Sequence, residues 1–306
     1  MTTSNSQNFS ISATDIITEA SELCGGGGAD GTIPTENYTS FLRTLNIMLK
    51  AWQGEGLFLH TWRDATLFFT HEEPHYLLGT TAKATESYVE TTLSADAALG
   101  ATTITLTSTT GITALDVIGI QLDDGTIQWT TVTTAATTLV AAALTGAASS
   151  GNMVIAYTAA ILRPLAIADV MRKSADGYET PVELISREEY RRKGNKAVVG
   201  KTTEAFLDPK TPHSGLFLYP CPDDVTDRLT FSYKKIIDDF DATTDTPDIP
   251  TDFCEALVTG LAYRIAPKYR LSQVERQDLK ERADIAHARI SDLESGTSFF
   301  IEPRMR

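Results

Sequence analysis

Residues 91–156 read TTLSADAALGATTITLTSTTGITALDVIGIQLDDGTIQWTTVTTAATTLVAAALTGAASSGNMVIA. This run contains no Lys or Arg, and its only charges are Asp96, Asp116, Asp123 and Asp124. Its periods are those of short strands. Residues 103–107 alternate Thr with Ile104 and Leu106, the pattern of a half-buried strand. Residues 117–122 and 126–132 flank Asp123-Asp124-Gly125, which predicts a hairpin with left-handed turn positions at Asp-Gly. Residues 137–140 and 153–157 supply further strands, and the Thr-rich faces suit the solvent side of a sheet. The run is predicted to be a small barrel or sandwich of about five or six strands.

The flanks have mixed charge and helical periods, so the β module is expected as an insertion at 91–157 in a discontinuous host of residues 1–90 and 158–295. A helix is predicted over 13–23, capped by Ser12 and apolar at Ile16, Ile17, Ala20 and Leu23. Another, over about 35–53, carries the stripe Tyr38, Leu42, Leu45, Leu49 and Trp52. Strand-like pieces follow at 57–69, 165–171, 215–219 and 228–234, with a capped helical turn at Ser186-Arg187-Glu188-Glu189-Tyr190. Residues 238–250 read as an acidic loop. Two helices then close the chain, the first capped by Asp252 with Phe253, Leu257, Leu261 and Ile265 repeating along it. The second opens on the Ser272 and Glu275 capping box and shows a narrow apolar line through Val274, Leu279, Ile290 and Leu293. That seam is expected to meet a neighbouring subunit. The fold class predicted is α+β: a helical-bundle host with short strands and an inserted all-β module. Residues 296–306 form a tail whose Phe299, Phe300, Ile301, Arg304 and Arg306 combine apolar bulk with terminal basic charge, the composition of a docking peptide.

The totals narrow the classes of function. The 306 residues are 42% hydrophobic and 22% charged, a globular composition. No apolar run approaches the roughly 20 residues of a membrane span, and the N-terminus lacks the pattern of a secretory signal. No membrane partner is expected, and production in the cytoplasm is. The three cysteines, Cys24, Cys221 and Cys254, are too far apart for a CxxC metal knuckle. A net charge of −14 argues against a tight grip on duplex DNA, which needs clustered Lys and Arg. It is compatible with a surface past which DNA slides.

Candidate chemistry is sparse. His71-Glu72-Glu73-Pro74-His75 matches the zinc-peptidase pattern, which needs both histidines on one helical face. Pro74 opposes that helix, and the surrounding residues read as a hairpin. The Gly25–Gly28 run lacks the Lys-Ser/Thr ending of a phosphate loop. The aspartates of 238–248 lack the central Gly and closing Glu of a calcium loop. There is no Gly-x-Ser-x-Gly elbow. No cofactor, no metal and no catalysis are expected.

With the insert set aside, the remaining runs resemble a known family. They are Asp15-Ile16-Ile17-Thr18-Glu19-Ala20, the helix Leu42-Arg43-Thr44-Leu45-Asn46-Ile47-Met48-Leu49-Lys50-Ala51-Trp52, and Ile185-Ser186-Arg187-Glu188-Glu189-Tyr190. They continue with Leu216-Phe217-Leu218-Tyr219-Pro220-Cys221-Pro222-Asp223, Lys235-Ile236-Ile237-Asp238-Asp239-Phe240-Asp241, Pro250-Thr251-Asp252-Phe253-Cys254-Glu255-Ala256-Leu257 and Ala266-Pro267-Lys268-Tyr269. In this order they resemble the head-to-tail adaptors of short-tailed bacteriophages, also called packaged-DNA stabilisation or tail accessory proteins. The resemblance covers most of residues 12–70 and 160–270. It implies a structural protein of the virion neck, made in the bacterial host, that forms a ring, usually dodecameric, beneath the portal protein. Such a ring extends the DNA channel, retains packaged DNA without sequence-specific binding, and carries the tail or nozzle protein. In that setting the final helix and the tail are candidates for portal contact. Two other readings stand beside it: a zinc peptidase or cell-wall hydrolase using His71, Glu72 and His75, and a glycan- or host-binding module in which Trp129 and Tyr157 stack on sugar.

Overall fold

The computed structural model describes residues 9–26, 33–57, 61–79, 81, 83–134, 139–140 and 142–295. It is a mixed α+β protein that divides into two compact units, Met1–Thr61 with Ile237–Arg306, and Trp62–Ile236. The helices are α1 (Ala13–Leu23), α2 (Thr35–Gly54), α3 (Arg187–Arg192), α4 (Cys254–Ile265) and α5 (Gln273–Ser295).

The first unit is helical. Ser12 closes α1 with a reciprocal box: its hydroxyl accepts from the Asp15 amide, and its own amide donates to the Asp15 carboxylate at 2.9 Å. Helix α1 then buries Ile16, Ile17 and Ala20, and α2 buries Phe41, Leu45, Met48, Leu49 and Trp52. These join Leu257, Leu261 and Ile265 of α4 and Leu279 and Ile290 of α5 in one core. Each such side chain contributes about 1.5–3 kcal/mol by leaving water. The start of α4 differs from expectation. Thr251–Phe253 forms a 3-10 turn, α4 begins at Cys254, and Asp252 makes no side-chain cap. Pro250 is the reason, because its fixed φ tightens the entry into a turn first.

The second unit is built of sheets. Strands β1 (Trp62–Phe68), β2 (His75–Leu78) and β3 (Ala84–Thr85) precede the charge-poor run. Spanning it and its edges are β4 (Val89–Thr92), β5 (Val117–Gln121), β6 (Ile127–Thr134), β7 (Leu139–Val140) and β8 (Met153–Tyr157). After it come β9 (Ile167–Lys173), β10 (Glu179–Pro181), β11 (Glu183–Leu184), β12 (Val199–Gly200) and β13 (Glu204–Asp208). The last three are β14 (Ser214–Tyr219), β15 (Cys221–Pro222) and β16 (Arg228–Lys234). One sheet runs β10-β9-β16-β1-β3, a second β11-β13-β14-β2, and β12 pairs with β15. The charge-poor run forms its own five-stranded antiparallel sheet, β4-β8-β5-β6-β7. The strands before and after it, expected in one host with the helices, fall in the same compact unit as this sheet.

Strand β8 explains that grouping. All five of its residues are buried. Val154 and Ala156 enter the run's own core with Leu93, Ile104, Ile118 and Ile120. Met153, Ile155 and Tyr157 point the other way, into a cluster with Phe68 of β1 and Val225. A strand alternates faces at every residue, so a continuous apolar run is buried on both sides. The inserted sheet therefore has one private core and one shared with the flanking strands.

Two local expectations are corrected here. Residues 103–107 make no ladder; Leu106 forms only an isolated bridge with Leu93, although Ile104 and Leu106 are buried. The alternation marked what is inside, not a regular strand. The β5–β6 connection does form the expected hairpin, but only Gly125 takes positive φ, at 83°. The amides of Gly125 and Leu122 donate to Leu122 and Thr126 carbonyls, so the loop is longer than a two-residue Asp-Gly turn.

Asp123 ties this loop to the next. Its Oδ1 accepts from the Ser149 amide at 2.8 Å and from Asn152 Nδ2 at 2.9 Å. The Ser149 backbone bond, then the Asn152 bond, hold its carboxyl below the usual carboxylate range. A carboxylate with a depressed folded pKa adds stability above its unfolded pKa of about 3.9, and that stability is lost as pH falls through the folded value. The urea midpoint of the second unit should therefore fall as pH is lowered from about 5 to about 2. In Asp123→Asn the midpoint should start lower at neutral pH and fall less steeply; an identical pH slope in wild type and variant would remove Asp123 from the account.

Candidate interaction surfaces

Phe68 and Arg228 sit directly opposite each other in the β1–β16 register, so they share one face of that sheet. That face meets the inserted sheet. Phe68 is fully buried, with its ring 5.1 Å from Tyr88 edge-on, 5.7 Å from Trp129 and 6.1 Å from Tyr157. Beside it the Arg228 guanidinium donates from Nη1 to the Tyr88 hydroxyl at 2.7 Å and from Nη2 to Glu90 Oε1 at 2.5 Å. It also packs against Met153 Sδ at 3.6 Å and lies 5.2 Å from the Tyr88 ring centre. A buried arginine is tolerated because Glu90 of β4 and Tyr88 just before that strand bring it a carboxylate and a phenol. Phe68 stands out in the sequence only as bulk favouring a strand over 57–69, and Arg228 does not stand out. The available signal was parity: in Arg-Leu-Thr-Phe-Ser-Tyr-Lys the apolar residues take one face, leaving Arg228 on the other.

Trp129 lies across the strand pair from Gly119. A Cβ at Gly119 would stand 2.8 Å from the indole, so the glycine is required by the ring that covers it. Trp129 and Tyr157, 5.8 Å apart, line a cleft of about 420 Å³ with Lys83, Val117, Thr81 and Thr158. Lys83 donates to Thr70 Oγ1 at 3.0 Å and sits 6.0 Å over the Trp129 ring. Burial pushes the Lys83 ammonium down and the Tyr157 phenol up to about 12. The structure thus brings together the two aromatics named as a sugar-stacking pair and adds a cation, a residue that sequence reasoning did not single out.

The HEEPH segment is placed otherwise than a zinc peptidase needs. His71, Glu72 and Glu73 form the turn between β1 and β2, with Glu72 at φ 60° and its amide donating to Pro222 O at 2.9 Å. His75 is already in β2 and stacks on Phe217 with centres 4.3 Å apart. The two histidines share no helical face. No group of three or more His, Cys, Asp or Glu side chains with metal-binding geometry occurs among the described residues.

Of the helix seam, Leu279 and Ile290 are buried in the chain's own helical core, so their apolar line meets α4 and its neighbours within the chain. Val274 is 79% exposed. The Leu293 side chain and Phe299, Phe300, Ile301, Arg304 and Arg306 lie outside the described residues. On the same unit, a groove of about 580 Å³ lies where α4 ends and α5 begins, lined by Tyr263, Arg264, Pro267, Gln273, Arg276 and Lys280 among others. No helix among the described residues is long and apolar enough to cross a membrane.

Replacing Arg228 by Met should cost about 1–3 kcal/mol, because Glu90 and Tyr88 lose a charged donor while Glu90 keeps solvent access. Gly119→Ala should cost about 1–3 kcal/mol by displacing the Trp129 ring. Chemical unfolding gives both energies, and a shift of Trp fluorescence should accompany the second; an unshifted midpoint in either variant would contradict the packing described.

A family model described as SU10 adaptor protein matches residues 77–297, well over half of the chain. No curated protein matches it.

Proposed function

The chain belongs to the SU10 adaptor protein family, a family of structural phage proteins, and from that premise we propose that it forms a ring between the portal and the tail. In this reading the ring, a dodecamer, sits beneath the portal protein of a short-tailed phage, extends the DNA channel and helps retain the packaged genome. A tail or nozzle protein attaches below. The observation that carries the reading is the family match, which spans the inserted sheet, strands β3 and β9 to β16 and both closing helices. The charge supports it: at −14 the chain repels rather than grips the DNA that must pass. Residues 91–157 serve as a decoration on a host of residues 1–90 and 158–295, and the tail 296–306 docks on the portal through Phe299, Phe300, Ile301, Arg304 and Arg306.

Electron microscopy of the purified protein mixed with its portal tests this directly. Rings stacked coaxially on the portal are expected, and deletion of residues 296–306 should weaken that complex at least about tenfold. Portal particles that stay bare at saturating protein would sink the reading; a full-affinity complex without the tail would sink only the docking assignment.

A second reading has one specific observation in its favour, the convergence of Trp129, Tyr157 and Lys83 on one cleft. Aromatic faces beside a cation and hydroxyls suit a sugar ring. The full chain would then bind cell-surface glycans and lose that binding in Trp129→Ala. A glycan screen without a hit retires this reading.

A further inference from the structure

The groove at the α4–α5 junction carries three cations, Arg264, Arg276 and Lys280. All three are exposed, and none is in an ion pair among the described residues. Their neighbours show the usual alternative. On α5 itself Arg282 pairs with Asp278 at 2.9 Å, and Arg289 reaches Glu255 at 3.3 Å. Arg276 spends its Nε on the Leu271 carbonyl at 3.1 Å, which fixes the guanidinium while leaving its terminal nitrogens without a carboxylate. Tyr263, 40% exposed, and Val274, 79% exposed and next in the chain to Gln273, add apolar surface at this junction. Two guanidiniums and an ammonium in one concave, partly apolar site fit carboxylates carried on a peptide segment.

The same unit holds the complement. Residues 237–255 contain Asp238, Asp239, Asp241, Asp245, Asp248, Asp252 and Glu255 with no Lys or Arg. Several of these are engaged within the chain: Asp239 pairs with Lys50 at 2.7 Å, and Asp245 accepts from the Asp241 and Ala242 amides. Asp241 and Asp252 are exposed and in no ion pair among the described residues. A ring with cyclic symmetry needs two different patches on each subunit that fit one another. We propose that the Arg264–Arg276–Lys280 groove receives the acidic 237–255 segment of a second copy of this chain, through Asp241 and Asp252, as the lateral contact of the ring. This rests on the ring reading above and names its contact. Duplex DNA is the competing occupant, but a chain of −14 with three cations in one groove is better matched by its own acid than by a polyphosphate duplex.

A charge swap on the full chain tests it, read by sedimentation. Wild type should self-associate, and more weakly as salt rises from about 0.05 M to about 0.5 M. Arg264→Glu/Arg276→Glu/Lys280→Glu should weaken association at least about tenfold, and Asp241→Lys/Asp252→Lys should do the same. All five positions are exposed, so circular dichroism should show both variants folded. Mixing the two variants restores opposite charges across each contact and should restore assembly. A groove variant that assembles like wild type, or a mixture that stays dissociated, overturns the contact and leaves the ring reading standing. A wild type that remains monomeric at every salt concentration, alone and on the portal, overturns both. If the groove variant assembles normally but loses binding to a short DNA duplex, the groove is a nucleic-acid surface and the proposal falls.

Discussion

The second unit depends on Phe68 being buried against a sheet that the chain makes only after leaving β1. One residue earlier, Leu67 faces the core of the flanking sheets with Leu216, Leu218 and Leu229. Phe68 faces the opposite way, where Trp129 and Tyr157 of the inserted sheet and Tyr88, just before its first strand, enclose it. An aromatic residue on that face would otherwise be exposed to water, at a cost of about 1.5–3 kcal/mol. Arg228, its cross-strand partner, has the converse problem: it is polar on a face that becomes buried. Glu90 and Tyr88 resolve it from the first inserted strand and the residue before it. Apolar and charged members of one strand pair are thus both completed by residues 88–157.

How much of this was legible follows from the range of each signal. Local chemistry was readable. The Ser12, Ser186 and Ser272 caps, the ends of β8 and β16 and the burial of Leu45, Leu49 and Trp52 on α2 follow from neighbours a few residues apart. Tyr38 and Leu42 of that stripe are only half-buried, and Phe41 and Met48 are buried beside it. Predictions failed where a second element decides. Leu279 and Ile290 form a thin apolar line, and sequence alone does not say whether a subunit or α4 covers it. Pro250 turned the start of α4 into a 3-10 turn, displacing the cap from Asp252. The double-sided burial of Met-Val-Ile-Ala-Tyr was available as an unbroken apolar run, in contrast to the alternation around Ile104. Its meaning, that the insert packs on both faces, required only the period of a strand. The aromatic cleft was half legible: Trp129 and Tyr157 stood out by type, whereas Lys83 entered through a fold contact.

The inserted sheet manages its polar surface without cations. Thr92 and Thr107 hydroxyls pair at 2.9 Å, Gln128 Oε1 accepts from the Thr145 amide and hydroxyl, and Asp124 accepts from Thr126. Such short-range bonds satisfy donors and acceptors locally, but the aspartates keep their charge and no cation in residues 91–156 offsets it. A surface of this kind repels acidic partners and meets others through shape, hydroxyls and its own negative charge. The helical unit is the opposite case, with basic residues in one groove and acids concentrated on one loop. Long-range attraction of an acidic partner therefore falls to the basic residues outside the sheet, because residues 91–156 carry negative charge alone.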